Sequence, residues 1–168
     1  AVFGALLHMT YHSLAKPLAF FSAGTIAQLH SSSNFDRIGH GTFSRTPVAS
    51  ALLVLATLMI TGSPPFGLFF SELMILGAGF AGAHPAATAV FLAALVVLFC
   101  GFAYQVGQIV LGPPRDPADR RVPQPERFDL GMVTTIGVAA VAVVSTFYLP
   151  APLMALIRAA TQVVWGGG

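Results

Sequence analysis

Charged side chains are scarce in this chain. Only 8% of its 168 residues are Asp, Glu, Lys or Arg, whereas 55% are hydrophobic. A soluble domain carries roughly 25% charged residues. Together with a mean hydropathy of +0.79, this scarcity excludes a soluble globular domain and predicts a membrane protein.

Basic residues and cysteine are also few. The 8 Lys and Arg residues stand against 6 Asp and Glu, which leaves no cationic patch of the kind that binds nucleic acid. The single cysteine, Cys100, lies in an apolar run, so the chain can form neither an internal disulfide nor a cysteine-ligated cluster. We therefore expect no nucleic-acid partner and no cofactor in this chain.

Long apolar segments fill most of the sequence. Their lengths predict an all-α, polytopic membrane protein with about four transmembrane crossings, one of them a discontinuous helix. The tail is typical of an interfacial helix, with a frayed continuation of the last span as the alternative. The predicted helices cover residues 2–29, 46–61 together with 66–82, 85–111 and 129–149, followed by the tail helix at 153–165.

The second apolar segment is interrupted in its middle by Gly62, Pro64 and Pro65, which must break helical hydrogen bonding. Two topologies remain open: a hairpin of two short helices, or one discontinuous helix that crosses once. A single crossing places the arginine-bearing loops at 36–45 and 115–127 on the same side of the membrane. The positive-inside bias therefore favours one discontinuous crossing, with both loops cytoplasmic.

Two charges interrupt segments that are long enough to cross a bilayer, Lys16 and Glu72. A charge at that depth costs about 2.5–3.5 kcal/mol on insertion scales. Charges in such positions usually face a protein interior or a water-filled cavity. Both residues are therefore candidates for a functional site.

A polar row precedes Pro17 on the first helix. His8, His12 and Lys16 recur every four residues, so each step turns about 40° and the row rises about 12 Å along one face. Since histidine changes protonation near neutral pH, this spacing is typical of a proton relay. The alternative is a structural Lys16–Glu72 ion pair with two packing histidines.

Two runs of residues resemble one known family. Residues 8–24, HMTYHSLAKPLAFFSAG, resemble the HxxxHxxxKxLLFFxxG helix of the antiporter-like membrane subunits. These subunits are shared by respiratory complex I, membrane-bound nickel–iron hydrogenases and multisubunit sodium/proton antiporters. Residues 62–72, GSPPFGLFFSE, are similar to the broken helix of the same family. Residues 111–114, LGPP, and 147–153, FYLPAPL, are similar to the hydrogenase-4 and formate hydrogenlyase type of subunit and favour that branch.

The resemblance implies a role for each candidate residue. It implies that His8, His12 and Lys16 form the central axis of a proton channel and that Glu72 is its terminal exchange group. It covers this chain only as the last four helices of a longer subunit. We therefore expect either a fragment or a split subunit that another chain completes.

The resemblance also implies a setting. The chain would be a multi-pass subunit of a bacterial inner (plasma) membrane, in a redox-driven complex of the hydrogenase-4, formate hydrogenlyase or NADH-quinone oxidoreductase type. It would have no redox centre of its own. Its partners would be lipid, other membrane subunits of the complex, and peripheral redox subunits that carry iron–sulfur clusters and, in the hydrogenase branch, a nickel–iron site.

Three alternatives remain open from the sequence. One is a subunit of a sodium/proton antiporter of the same lineage, without redox coupling. Another is a membrane cytochrome with His8 or His12 and His84 as haem ligands. The last is a structural membrane subunit that conducts nothing.

Overall fold

The fold is all-helical over the residues that the structure, a computed structural model, describes: 1–31, 38, 41–82, 84–113 and 126–166. The helix bounds lie within two residues of the predicted ones. The helices of these residues are α1 (Val2–Leu29), α2 (Pro47–Ile60), α3 (Gly67–Ala81), α4 (Pro85–Leu111), α5 (Leu130–Phe147) and α6 (Ala151–Gly166), with a short 3-10 turn at Thr42–Ser44.

Local residue chemistry accounts for where the helices begin. Pro47 and Pro85 occupy the first positions of α2 and α4, where the missing N–H would have had no partner within the helix. The Asp129 carboxylate caps α5 by accepting a hydrogen bond from the backbone N–H of Met132 at 2.9 Å. Pro17 lies inside α1, and the helix continues past it.

Helix length and hydropathy identify membrane-crossing segments. Over the described residues, α4 (27 residues, hydropathy 2.5) and α5 (18 residues, hydropathy 2.0) are each long and apolar enough to cross a bilayer. The apolar helices α2 and α3 have 14 and 15 residues. Each is about 22 Å long at most, so neither alone spans a hydrocarbon layer of about 30 Å, although the two in series do.

The contacts along α1 show that α2 and α3 run in series rather than as a hairpin. Near the end of α1, Ile26 packs in one cluster with Ala49 of α2. Near its beginning, His8 reaches Ser71 of α3. The chain from α2 to α3 therefore descends along α1 in one direction, as a discontinuous helix that crosses once.

The described ends of the two arginine-bearing loops lie at the same end of the bundle. Glu126, in the loop before α5, accepts hydrogen bonds from the backbone N–H groups of Val48 (3.1 Å) and Ala49 (2.8 Å) at the start of α2. Arg45 and Arg127 lie in the described parts of these two loops. This shared end agrees with the single-crossing topology. The other arginines of the two loops lie outside the described residues, namely Arg37, Arg115, Arg120 and Arg121.

Helix α1 occupies the centre of the described bundle, because α2, α3, α5 and α6 all pack against it. Its small Ala15 is fully buried together with Leu18, which lets neighbouring backbones come close. Large apolar side chains on α4 are exposed, as expected of a lipid-facing helix. The core cluster around the middle of α1 consists of Ala15, Leu18, Ala56, Met59, Phe66, Leu68, Ala139 and Ala142.

Candidate functional site

The polar row of α1 begins with two neighbouring imidazoles. The rings of His8 and His12 stack with their centroids 5.8 Å apart and their planes 27° from parallel. Nδ1 of His8 and the Ser71 hydroxyl of α3 are also hydrogen-bonded, at 3.1 Å. The first two members of the predicted row are therefore neighbours in the structure, and His8 is hydrogen-bonded to the second half of the broken helix.

One cavity brings together three of the four predicted residues. It has a volume of about 260 Å³ and is called the smaller compartment here, while a second cavity of about 390 Å³, the larger compartment, shares Lys16 with it. The smaller compartment is lined by His12, Lys16 and Glu72 together with Thr61 of the helix break. Liquid water takes about 30 Å³ per molecule, so this compartment has room for several waters between the three titratable groups.

The walls of this compartment come from four parts of the chain. Helix α1 supplies the imidazole and the ammonium, the end of α2 and the break supply Ile60 and Thr61, and α3 supplies the carboxylate. Helix α4 contributes an apolar wall, namely Leu95, Leu98, Phe99 and Phe102. The apolar wall lowers the local dielectric, which strengthens electrostatic interactions between the titratable groups.

The larger compartment continues from Lys16 towards the end of the bundle that carries the arginine loops. Lys16, Ile60 and Phe102 border both compartments. The remaining lining of the larger one is mostly apolar, with Thr57 and Gln105 as its other polar side chains. Lys16 therefore borders both compartments, of which only the smaller one contains other titratable side chains, His12 and Glu72.

Glu72 is held against the helix break. It is only 8% exposed, and its side chain reaches back towards Gly62, as helical side chains point towards the N-terminus. A Cβ at Gly62 would lie 2.6 Å from Cδ and 2.7 Å from Oε1 of Glu72 and would overlap Oε2. The carboxylate thus occupies the space that the missing side chain leaves.

The backbone conformation at the break also favours a glycine at position 62. Gly62 has φ +69°, the left-handed conformation that glycine adopts without strain. The N–H of Gly62 donates to the carbonyl of Met59 and that of Ser63 donates to the carbonyl of Leu58, which together form a Schellman cap. The break is therefore a regular C-terminal cap of α2 that also makes room for the acid.

Lys16 and Glu72 do not form an ion pair in this structure. Both residues are described, and the Lys16 amine lies more than 4.0 Å from the Glu72 carboxylate oxygens. Their separation within one cavity leaves room for solvent between them. The static ion pair that the sequence left open as an alternative is not formed in this conformation.

Two further features of the site escaped sequence reasoning. Ser71 is fully buried and lies 63 positions from the histidine that it contacts, so no local pattern indicates the pairing. Gly67 begins α3, and any Cβ there would overlap the Tyr11 ring, so the backbone of α3 lies close to α1 at this point.

His84, the haem ligand of the cytochrome alternative, lines neither compartment and lies exposed at the start of α4.

Comparison with known proteins identifies the family. Residues 1–102 match the family described as NADH:quinone oxidoreductase/Mrp antiporter, TM. The chain belongs to this membrane-subunit family. The matched residues include His8, His12, Lys16 and Glu72, as well as the break at Gly62, Pro64 and Pro65.

Two curated relatives illustrate the family. The chain is 35% identical over 115 residues to the Hydrogenase-4 component F homolog of Methylacidiphilum infernorum (isolate V4), which covers 68% of this chain and 24% of that protein. It is 29% identical over 108 residues to NADH-quinone oxidoreductase subunit L of Campylobacter jejuni, which covers 64% of this chain and 17% of that protein. The matched region thus spans about a quarter or less of these relatives' length. No solved structure matches the chain.

Proposed function

We propose that this chain forms part of a proton-conducting membrane subunit, in which His8, His12, Lys16 and Glu72 carry the proton. The observation that supports the proposal best is the compartment shared by His12, Lys16 and Glu72 between α1, the helix break, α3 and α4. Side chains that gain and lose protons, spaced by water in a low-dielectric cavity, are the elements of a proton relay.

The position of Lys16 adds to the argument. Its side chain is exposed in the chain taken alone, yet it lies at a depth where contact with lipid would cost about 2.5–3.5 kcal/mol or more. We expect other membrane helices of the same complex to cover this face. The names of both relatives, a hydrogenase component and an oxidoreductase subunit, favour partners of that kind.

We further propose that the complex is redox-driven and lies in a bacterial inner membrane. Electron transfer would take place in peripheral subunits that hold iron–sulfur clusters and, in a complex of the hydrogenase branch, a nickel–iron site. A change of charge at one member of the row alters the electrostatic energy of a proton on the next. Such stepwise shifts would couple a redox event at the complex to movement of protons through this chain.

The test is proton uptake by vesicles that contain the whole complex. We expect Glu72→Gln and Lys16→Met to reduce uptake at least tenfold while the assembled complex keeps its electron transfer to an artificial acceptor. Arg158→Met is the matched control, because Arg158 is an exposed cation on α6 that lines neither compartment. Wild-type uptake in both site variants would contradict the proposal and leave a structural subunit.

A sodium/proton antiporter subunit is the second candidate, because the family description names Mrp antiporters as well. The two candidates differ in what drives transport. Vesicles without an electron donor but with an imposed sodium gradient would take up or release protons only under the antiporter reading. A redox-driven complex would move no protons in response to the sodium gradient and would take up protons once an electron donor is added.

A further inference from the structure

We propose that Ser71 is a positioning residue, which holds His8 in its Nδ1–H form and so makes His8 the closed end of the proton row. The inference rests on the proposed function for the meaning of the row, although the hydrogen-bonding argument stands without it.

The single hydroxyl proton of Ser71 determines which atom donates in its hydrogen bond with His8. The Ser71 hydroxyl donates to the Leu68 carbonyl at 2.7 Å, within the first turns of α3. A serine hydroxyl has one proton to donate. In its contact with His8 Nδ1, the Ser71 oxygen must therefore accept, so Nδ1 carries the hydrogen.

A neutral imidazole carries only one N–H, so an Nδ1–H tautomer leaves Nε2 as the free acceptor. A proton that reaches His8 then adds at Nε2 and forms the imidazolium. It cannot leave through Nδ1, because the Ser71 oxygen would need to pass a proton on and its hydroxyl points at an amide carbonyl. A carbonyl accepts a hydrogen bond but does not take up the proton.

Burial keeps this arrangement in place. Ser71 is 0% exposed, so water has no access through which the hydroxyl could find a second acceptor. His8, in contrast to His12, is absent from the lining of both compartments that contain Lys16. Within the proposed row, His8 therefore receives and returns a proton by the same nitrogen, and transfer beyond His8 runs through His12, Lys16 and Glu72.

The experiment reads the tautomer directly. The chain is labelled with 15N-histidine, reconstituted in lipid at a pH where histidine is neutral, and examined by solid-state NMR. The His8 signals are assigned by their loss in His8→Gln. We expect wild-type His8 to show a protonated Nδ1 and an unprotonated Nε2, and Ser71→Ala to show both tautomers.

Exchange of the ring proton with deuterated water gives the second readout. We expect the Nδ1 proton of His8 to exchange about fivefold or more faster in Ser71→Ala, the factor expected from losing one net hydrogen bond. Ser13→Ala is the matched control. Ser13 makes the same kind of bond to a carbonyl three residues earlier, Thr10, at 2.8 Å. Among the described residues its hydroxyl forms no hydrogen bond with a histidine, so its removal should alter neither readout.

The outcomes separate the two proposals. An Nε2–H tautomer in the wild type, or an unchanged spectrum and exchange rate in Ser71→Ala, would overturn the role of Ser71. The tautomer is observed whether or not the chain conducts. Wild-type proton uptake in Glu72→Gln and Lys16→Met would therefore remove the proposed function while the assignment of the His8 tautomer remained.

Discussion

Replacement of Gly62 by alanine tests the link between the helix break and the acid. Two effects add at this position. The left-handed φ of +69° costs a residue with a Cβ about 1–2 kcal/mol. The new methyl group would also lie 2.6 Å from Cδ of Glu72, whereas carbon atoms in contact prefer about 3.5–4.0 Å, so the carboxylate must move by about 1 Å.

These magnitudes predict two separate results. The backbone cost should reduce the folded-to-unfolded ratio about five- to thirtyfold. This ratio is measured by adding SDS to the protein in lipid–detergent micelles and following its unfolding. A displacement of about 1 Å at a reacting group can lower a rate about a hundredfold. We therefore expect proton uptake by vesicles with the Gly62→Ala complex to fall about tenfold or more.

Gly77→Ala is the matched control for this prediction. Gly77 lies inside α3 with nothing within 4 Å of a Cβ built on it, so alanine there should stabilise the helix by about 0.5–1 kcal/mol and leave uptake unchanged. If Gly62→Ala matches the wild type in both stability and uptake, then the cap does not position Glu72 and the reasoning fails.

Further substitutions test three contacts, two between distant segments and one helix cap. Glu126→Gln, which removes the charge facing the start of α2, should reduce the free energy of unfolding by about 1 kcal/mol, and an unchanged SDS midpoint would argue against this contact in solution. Asp129→Ala should cost about 0.5–2 kcal/mol through loss of the α5 cap, and Asp129→Asn should recover most of it because asparagine caps equally well. Gly67→Ala should be destabilising because its methyl group overlaps the Tyr11 ring, and a Tyr11→Ala change in the same chain should relieve part of that loss; strictly additive effects would contradict the contact.

Periodicity and composition single out the candidate residues of the site, because both are local properties. The four-residue spacing of His8, His12 and Lys16 places them on one helical face in any straight helix. A carboxylate in an apolar segment, such as Glu72, stands out on composition alone. Neither property indicates which distant side chain completes the site.

The choice between a hairpin and one discontinuous crossing illustrates the difference between local sequence patterns and contacts between distant segments. The sequence left both possible and favoured the single crossing from the positions of arginines in two loops. The contacts decide it, since α1 meets α2 near Ile26 and α3 near His8. A local pattern cannot supply that information, because the two topologies use the same helices and the same break.

The sequence by itself determined the membrane environment, the helices, the break and the identity of the titratable residues, since each follows from the chemistry of neighbouring residues along the chain. Only the tertiary structure decided that the Glu72 carboxylate lies against Gly62, that Ser71 is hydrogen-bonded to His8 and that Lys16 shares a cavity with Glu72. These contacts join segments that are 10 to 63 residues apart. They exist only once helices pack, because packing alone sets the distance between side chains on different helices.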